Sequence, residues 1–358
     1  MKNTKILLLV LFLFIPEIYS QVQSGWYWVN PQPQGHNLTS VTYLNNNTLI
    51  AVGWNGTILR STNGGQNWSN NRYSTTRDFN KVKFFDQNTG YAIGDSSLIF
   101  KTTDSGLNWT RLNYYSIDNF RDLSFINIST GYFASYSKLL KTTNGGVNFE
   151  SVPNTGGVFV QFVDSETGYC GGNGVKKTTN GGINWINISN VSIYGGYFFD
   201  SNNGIITGSD SIFKTSNGGV SWSSSPGFSF YPITTMKFVN SSTGYASSLY
   251  GGNFYKTTNG GNVWSQIIVQ NPDLFASGFD FIDVNNILIV SRYGLIEKTS
   301  NGGVNWQNYS NILYSSVNSI CFPNMNTGFA AGDKYFQNKS IFKTTDQGST
   351  WFELTSIP

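Results

Sequence analysis

Histidine, cysteine, glutamate and net charge are all scarce in this chain. Of its 358 residues one is histidine, His36, two are cysteine, and 11% are charged. A single histidine, expected in an exposed loop, excludes a multi-histidine metal centre and His-based acid–base chemistry, so no metal or cofactor is expected. Beyond Glu17 only Glu150, Glu166, Glu297 and Glu353 occur. Two-carboxylate glycosidases need acids converging across a cleft, about 5–9.5 Å apart, and no such pair follows from the sequence register. No catalytic residue is therefore assigned, and a non-catalytic role is expected. The net charge is +3, and +2 once Lys2, Lys5 and Glu17 are set aside, which excludes the dense basic patches that nucleic acid or anionic membrane would require. Apart from Ile6 to Ile15 there is no long apolar run, so no membrane insertion is expected. That run follows Lys2 and Lys5 and precedes the small Ser20, so residues 1–20 read as a cleaved secretory signal and 21–358 as one secreted or periplasmic domain. Cys170 and Cys321 are expected to be buried free thiols: Cys170 falls where other repeats carry Ala92, Ala246 and Ala330, and the two would lie on opposite sides of a ring.

What the chain has instead is repetition, glycine and aromatic rings. A basic residue followed by Ser/Thr-x-Asn/Asp-x-Gly-x-x-Trp/Phe occurs eight times, as in Arg60-Ser-Thr-Asn-Gly-Gly-Gln-Asn-Trp68 and Lys101-Thr-Thr-Asp-Ser-Gly-Leu-Asn-Trp109. The Asx and aromatic positions are Asn63 and Trp68, Asp104 and Trp109, Asn144 and Phe149, Asn180 and Trp185, Asn217 and Trp222, Asn259 and Trp264, Asn301 and Trp306, and Asp346 and Trp351. Successive terminal aromatics are 36 to 45 residues apart. Within residues 80–112 the unit reads as four short strands joined by turns, and four strands per roughly 40 residues selects an all-β propeller. Eight complete units predict a single eight-bladed propeller, with seven blades as the alternative. Gly25-Trp-Tyr-Trp-Val29 is a candidate strand for closing the ring.

Two turns recur in every unit. An Asx residue opens the first (Asn45, Asp86, Asn127, Asp164, Asp200, Asn240, Asp283, Asn324), and its side chain is expected to bond backbone two residues on. The glycine that usually follows (Gly90, Gly131, Gly168, Gly204, Gly244, Gly328) is expected to supply positive φ. The residue two before each Asx is aromatic, and this column is assigned to the core between blades. In the second turn the hydroxyl and carboxylate of Thr102 and Asp104 are expected to hold turn amides, Gly106 to adopt positive φ, and Trp109 to bury its ring. The basic residue before each turn is expected to lay its stem over the turn and keep its head in water.

These turns resemble the Asp-box, or bacterial neuraminidase repeat, of β-propellers. The longer pattern Phe162-Val-Asp-Ser-Glu-Thr-Gly-Tyr169, then Lys177-Thr-Thr-Asn-Gly-Gly182, then Trp185 resembles propellers of the photosystem II stability/assembly factor type over about residues 38–358. The resemblance implies the fold; for function it spans sialidases, xyloglucanases, sorting receptors and assembly factors. Six boxes carry Asn, and only Asp104 and Asp346 keep the acid. A sialidase would need an arginine triad and a Tyr/Glu nucleophile pair, which no set of residues here supplies. Seven residues follow Trp351, so no C-terminal sorting domain is expected.

The irregularity in the repeat is arginine. Four of the six, Arg72, Arg77, Arg111 and Arg121, fall in two successive connections between the fourth strand of one unit and the first of the next, with Tyr114 and Tyr115 beside them. Arg with Tyr is the composition of interaction hot spots. The expected function is a secreted scaffold or assembly factor, a monomer binding a protein or peptide that carries acidic groups; a glycan-binding or glycan-cleaving propeller is the alternative.

Overall fold

The computed structural model describes residues 36–345 and 352–353, except 74, 209–210, 227–232, 249–252, 270–275, 292–294, 309–314, 322–326 and 335–336; for 71–72, 225–226 and most of 315–353 it describes the backbone alone. The signal segment, Gly25-Trp-Tyr-Trp-Val29, Asp346 and Trp351 lie outside the described residues. The chain is all-β, with no helix among the described residues. Each repeat forms an antiparallel meander whose strands lie in sequence order across the sheet. Blade one is Leu38–Tyr43, Leu49–Gly53, Thr57–Ser61 and Ser69–Arg72. In blade four the second and third strands form one element, Gly168–Thr178; its first half pairs with Phe159–Phe162, its second half with Ile186–Ser192, and Gly174, at positive φ, lies between.

The ring closes at seven blades, not the eight that the repeat count favours. The innermost strand of blade one, Leu38–Tyr43, contacts its counterpart in blade two, Phe79–Phe84, on one side and that of blade seven, Gly278–Phe281, on the other. At the closing seam the Leu38 amide donates to Ser291 O (3.0 Å) and the Tyr43 amide to Asp280 Oδ2 (2.7 Å). Leu38, Val41 and Leu49 pack there against Leu288, Val290 and Ile296. Both blades are built from contiguous sequence, so neither borrows a closing strand from elsewhere. The eighth repeat does form four strands, Ser315–Cys321, Gly328–Lys334, Gln337–Thr344 and Phe352–Glu353, but direct contact between blades seven and one leaves it no place between them.

Blades pack through aromatic rings. The second strands, such as Leu49–Gly53, Gly90–Gly94 and Gly131–Ser135, are buried along their whole length because both faces meet a neighbouring blade. The aromatic column supplies the contact: Phe125, Phe162 and Phe198 stack on Tyr91, Tyr132 and Tyr169 of the preceding blade at 4.3, 4.7 and 3.5 Å. Here the glycines of the first turn differ from expectation. Gly90, Gly131, Gly168, Gly204 and Gly244 are absent from the positive-φ positions. Each instead lies under the aromatic ring of its own blade, where an added Cβ would come within 2.2–2.7 Å of ring carbon. Close approach, rather than turn geometry, requires glycine there.

Candidate functional site

Meander topology sends alternate turns to opposite faces of the ring. One face carries the Asp boxes; the other, the loop face, carries the hairpins between second and third strands and the connections between blades.

The box face is closed upon itself. In blade two, Thr102 Oγ1 donates to Asp104 Oδ1 (2.8 Å), which also accepts the Asn108 amide (2.9 Å), while the Gly106 amide donates to Thr102 Oγ1 (3.0 Å). Gly106 has φ +77° and Trp109 Nε1 donates to Gly106 O (3.2 Å). Boxes with Asn repeat this pattern through the amide oxygen: Asn63 Oδ1 takes the Ser61 hydroxyl and the Asn67 amide, at 3.0 and 2.9 Å. The carboxylate charge is therefore dispensable, which explains why six boxes lack it. The first turns behave as the sequence predicts, with Asp86 Oδ1 accepting the amides of Asn88 and Thr89 at 2.7 Å.

Six of the eight basic residues before the boxes do not keep their heads in water. Arg60 Nε donates to Ser105 O of the next blade (3.1 Å), Lys101 to Gly145 O (2.9 Å), Lys177 to Gly218 O (3.3 Å), Lys214 to Gly260 O (2.9 Å) and Lys256 to Gly302 O (3.3 Å). Lys298 of blade seven reaches Gly64 O of blade one at 3.0 Å, repeating the staple across the closing seam. These cations satisfy turn carbonyls of their neighbours, and their role is structural.

The loop face opens onto the axis. A central cavity of about 730 Å³ is lined by residues in or directly before the innermost strands of all seven blades. Four of those strands carry a β-bulge near this end, and the residues passed over in pairing are Thr39, Asn80, Arg121 and Thr234. A bulge turns a side chain out of the pleat, and all four line the cavity. With Val158, Tyr194 and Ser277 they form one ring, each member four residues before the aromatic column, and Arg121 is its only charged member. Trp54 and Tyr136 also line the cavity, and with Tyr194 of the ring they have 48, 68 and 43% of their surface exposed. A second cavity of about 470 Å³, between Tyr136, Gly157, Asn173, Lys176 and Tyr194, adjoins the first over blades three to five.

Among the six residues singled out from sequence, Arg121 lines the cavity, and Arg77, outside its lining, reaches the same hairpin. Arg77 Nη1 donates to Ser96 O (2.6 Å), and Arg121 Nη2 lies 3.6 Å from Asp95 Oδ1 while its Cζ stands 5.8 Å from the centre of the Tyr136 ring, so both arginines hold adjacent residues of one hairpin. Arg111, on the fourth strand of blade two, stands 6.0 Å from the ring of Tyr115, and both are exposed. Tyr114 is turned away from such a patch: its ring packs against Phe120 and Phe149 in the core between blades. Arg72 ends the fourth strand of blade one opposite Thr57, and its side chain is outside the described residues.

Sequence reasoning missed the lysines of the channel. Lys83 Nζ pairs with Asp122 Oδ1 (2.7 Å) and donates to Leu123 O (2.6 Å); Lys237 Nζ pairs with Asp280 Oδ1 (2.8 Å). Asp122 Oδ2 accepts the Val160 amide at 3.1 Å, so both carboxylates are fully engaged. Lys81 makes no hydrogen bond or ion pair among the described residues. Burial in the channel wall pushes its ammonium down to about 8, with the charges of Lys83 and Lys237 adding to the shift and those of Asp122 and Asp280 opposing it. The signal was present in the alternation Asn80-Lys81-Val82-Lys83, polar residues on a strand at the centre of a ring. No group of His, Cys, Asp and Glu suited to a metal ion occurs among the described residues. Cys170 is buried and free, its thiol raised to about 12 by desolvation; the Cys321 side chain lies outside the described residues.

This architecture agrees with known proteins in fold. A family described as photosynthesis system II assembly factor YCF48 matches residues 19–103. The structure of YCF48 from Cyanidioschyzon merolae superposes with a TM-score of 0.62 at 17% identity, covering 75% of this chain and 97% of that one. A structure of YCF48 bound to D1 peptide gives 0.57 at 17% identity, over 76% of this chain and 94% of that one. The GH74 enzyme of Niastella koreensis gives 0.66 at 16% identity, over 90% and 67%. No curated protein matches the sequence. The chain is an Asp-box β-propeller of seven blades, similar to YCF48.

Proposed function

We propose that this chain is an exported, non-catalytic propeller that binds a protein or peptide at the loop-face mouth of its central channel, as a scaffold or assembly factor. One observation carries this reading: the bulged ring opens a cavity lined by Arg121, Trp54, Tyr136 and Tyr194, with Arg77 on the adjoining hairpin at Ser96. Together they offer planar bidentate donors for carboxylates and rigid aromatic area at small entropic cost. The similar YCF48 structure bound to a peptide supports the same kind of partner. Arg77 and Arg121 make the favoured peptide acidic, bound more weakly as salt screens the charges. Asp122 and Asp280 are each held by a lysine and a backbone amide, an arrangement that opposes use as a glycosidase acid or base. Export rests on the first twenty residues. The exposed aromatics Trp54, Tyr136 and Tyr194, with the likeness to GH74 enzymes, favour glycan binding as a second reading. The test is cross-linking capture from the native envelope beside peptide and glycan arrays. Acidic peptides that bind and compete with the captured partner are expected; a strong carbohydrate signal with no protein partner would reverse the assignment.

A further inference from the structure

We infer that the central channel contains a monocarboxylate site whose anchor is the Lys81 ammonium, with Arg121 at its mouth. The site deepens the peptide reading by naming what enters the channel, and it rests on that reading only for whether the carboxylate belongs to a peptide or to a free organic acid.

The channel charges explain the choice of ligand. Three lysines line it, Lys81, Lys83 and Lys237, and two are neutralised by Asp122 and Asp280. Among these lysines and carboxylates one positive unit is left over, on the Lys81 ammonium; the charge of Arg121 at the mouth faces Asp95. At the mouth, Arg121 Nε is buried without a hydrogen-bond partner among the described residues, although its Nη2 faces Asp95. Lys81 is half-buried in the channel wall, and a ligand that reaches its ammonium supplies the acceptor that no side chain there gives. A single carboxylate brings one negative charge and accepting oxygens, matching the one unpaired lysine ammonium. A phosphate dianion would bring a second charge into a channel that already holds two carboxylates. Phe159, Val160 and Met236 line the same space and suit an apolar body behind the acid.

Linkage fixes the pH dependence. The groups acting on Lys81 are Asp122, Lys83, Lys237 and Asp280, and desolvation dominates, leaving the free ammonium at about 8. A bound carboxylate favours the charged form and raises that value. Affinity is therefore full between the ligand's own carboxyl range and about 8, and declines as pH rises through 8.

The probes are sodium butyrate and inorganic phosphate at fixed ionic strength, read by calorimetry and by the Lys81 side-chain NMR signals in the full chain. Butyrate is expected to bind, to raise the Lys81 titration midpoint by about one unit, and to lose about tenfold affinity in Lys81→Met. Lys81→Arg should restore most of the affinity, and Lys141→Met, which alters a lysine of the box face, should leave it unchanged. Failure of butyrate to bind, a midpoint that does not move, or equal affinity in Lys81→Met would overturn the site, and tighter binding of phosphate would overturn the carboxylate assignment. If Lys81→Met fails to fold, the midpoint in the natural chain with and without butyrate decides alone. Peptide-array binding measured on the same Lys81→Met protein separates the two claims. Retained peptide binding with butyrate unbound removes only the channel site, whereas a natural chain that binds no peptide removes the peptide reading and leaves butyrate to be judged on its own.

Discussion

At the residue scale, the Asp box works through one oxygen. Asp104 Oδ1 and the amide oxygens of Asn63, Asn144, Asn180, Asn217 and Asn301 accept the same turn amide four residues on. Replacing Asp104 by Asn should therefore change stability by less than about 0.5 kcal/mol, whereas Asp104→Ala should cost about 1 kcal/mol in a denaturant titration. The carboxylate does add a pH dependence. Burial opposes its charge, but hydrogen bonds from Asn108, Thr102 and Leu107 outweigh burial and hold it below the usual carboxylate range. Its contribution is thus present above the unfolded carboxyl value and lost as pH falls through the lower folded value. Asp104→Asn should flatten that part of the acid-unfolding curve; an unchanged curve would remove the carboxylate from the account. The glycines show where sequence reasoning stopped short. That position after the first turn needs glycine, but the recurring Thr-Gly-Tyr cannot say whether φ or crowding demands it. Gly131→Ala places a Cβ 2.5 Å from the Phe125 ring and should cost about 1–3 kcal/mol in the same assay.

At the element scale, the turns and the aromatic columns were legible because each recurs in every blade. The ring Thr39, Asn80, Arg121, Val158, Tyr194, Thr234 and Ser277 was not, because its members share only a register and no residue type. Bulges arise from how an inner strand bends near the axis, which no local pattern displays. The same holds for the staples: a lysine before a turn reads as solvated until the neighbouring blade brings a carbonyl to it. Lys298→Met cuts the staple across the closing seam and should lower stability by about 1–3 kcal/mol. Trp306, buried against Phe254, should cost about 3–5 kcal/mol on truncation to Ala. Both losses belong to folding, so thermal unfolding should register them while ligand affinity in the folded fraction stays constant.

At the scale of the whole molecule, counting repeats overstates the ring by one. Blade number depends on the angle between neighbouring blades, set by the packing of rings such as Phe125 on Tyr91, and a repeat count contains no angle. Because the Lys298 staple and the Leu38–Ser291 bond join blade seven to blade one, a chain ending at Asn308 should stay folded, all-β by circular dichroism and cooperative on heating; collapse of that chain would argue that the eighth repeat completes the ring. The arginine cluster was partly legible. Its sequence positions led to Arg121 in the channel lining and Arg77 on the adjoining hairpin, but they also drew in Tyr114, whose burial depends on Phe149 in a blade that the local sequence does not reveal. The loop-face mouth is the centre of the functional proposal, and the double charge reversal Arg77→Glu with Arg121→Glu tests it most directly. Affinity for an acidic peptide selected on the array should fall by at least about tenfold, equivalent to about 1.4 kcal/mol, with the melting temperature nearly unchanged and the salt dependence of binding flattened. Undiminished affinity in a well-folded double variant would place the binding surface elsewhere on the propeller.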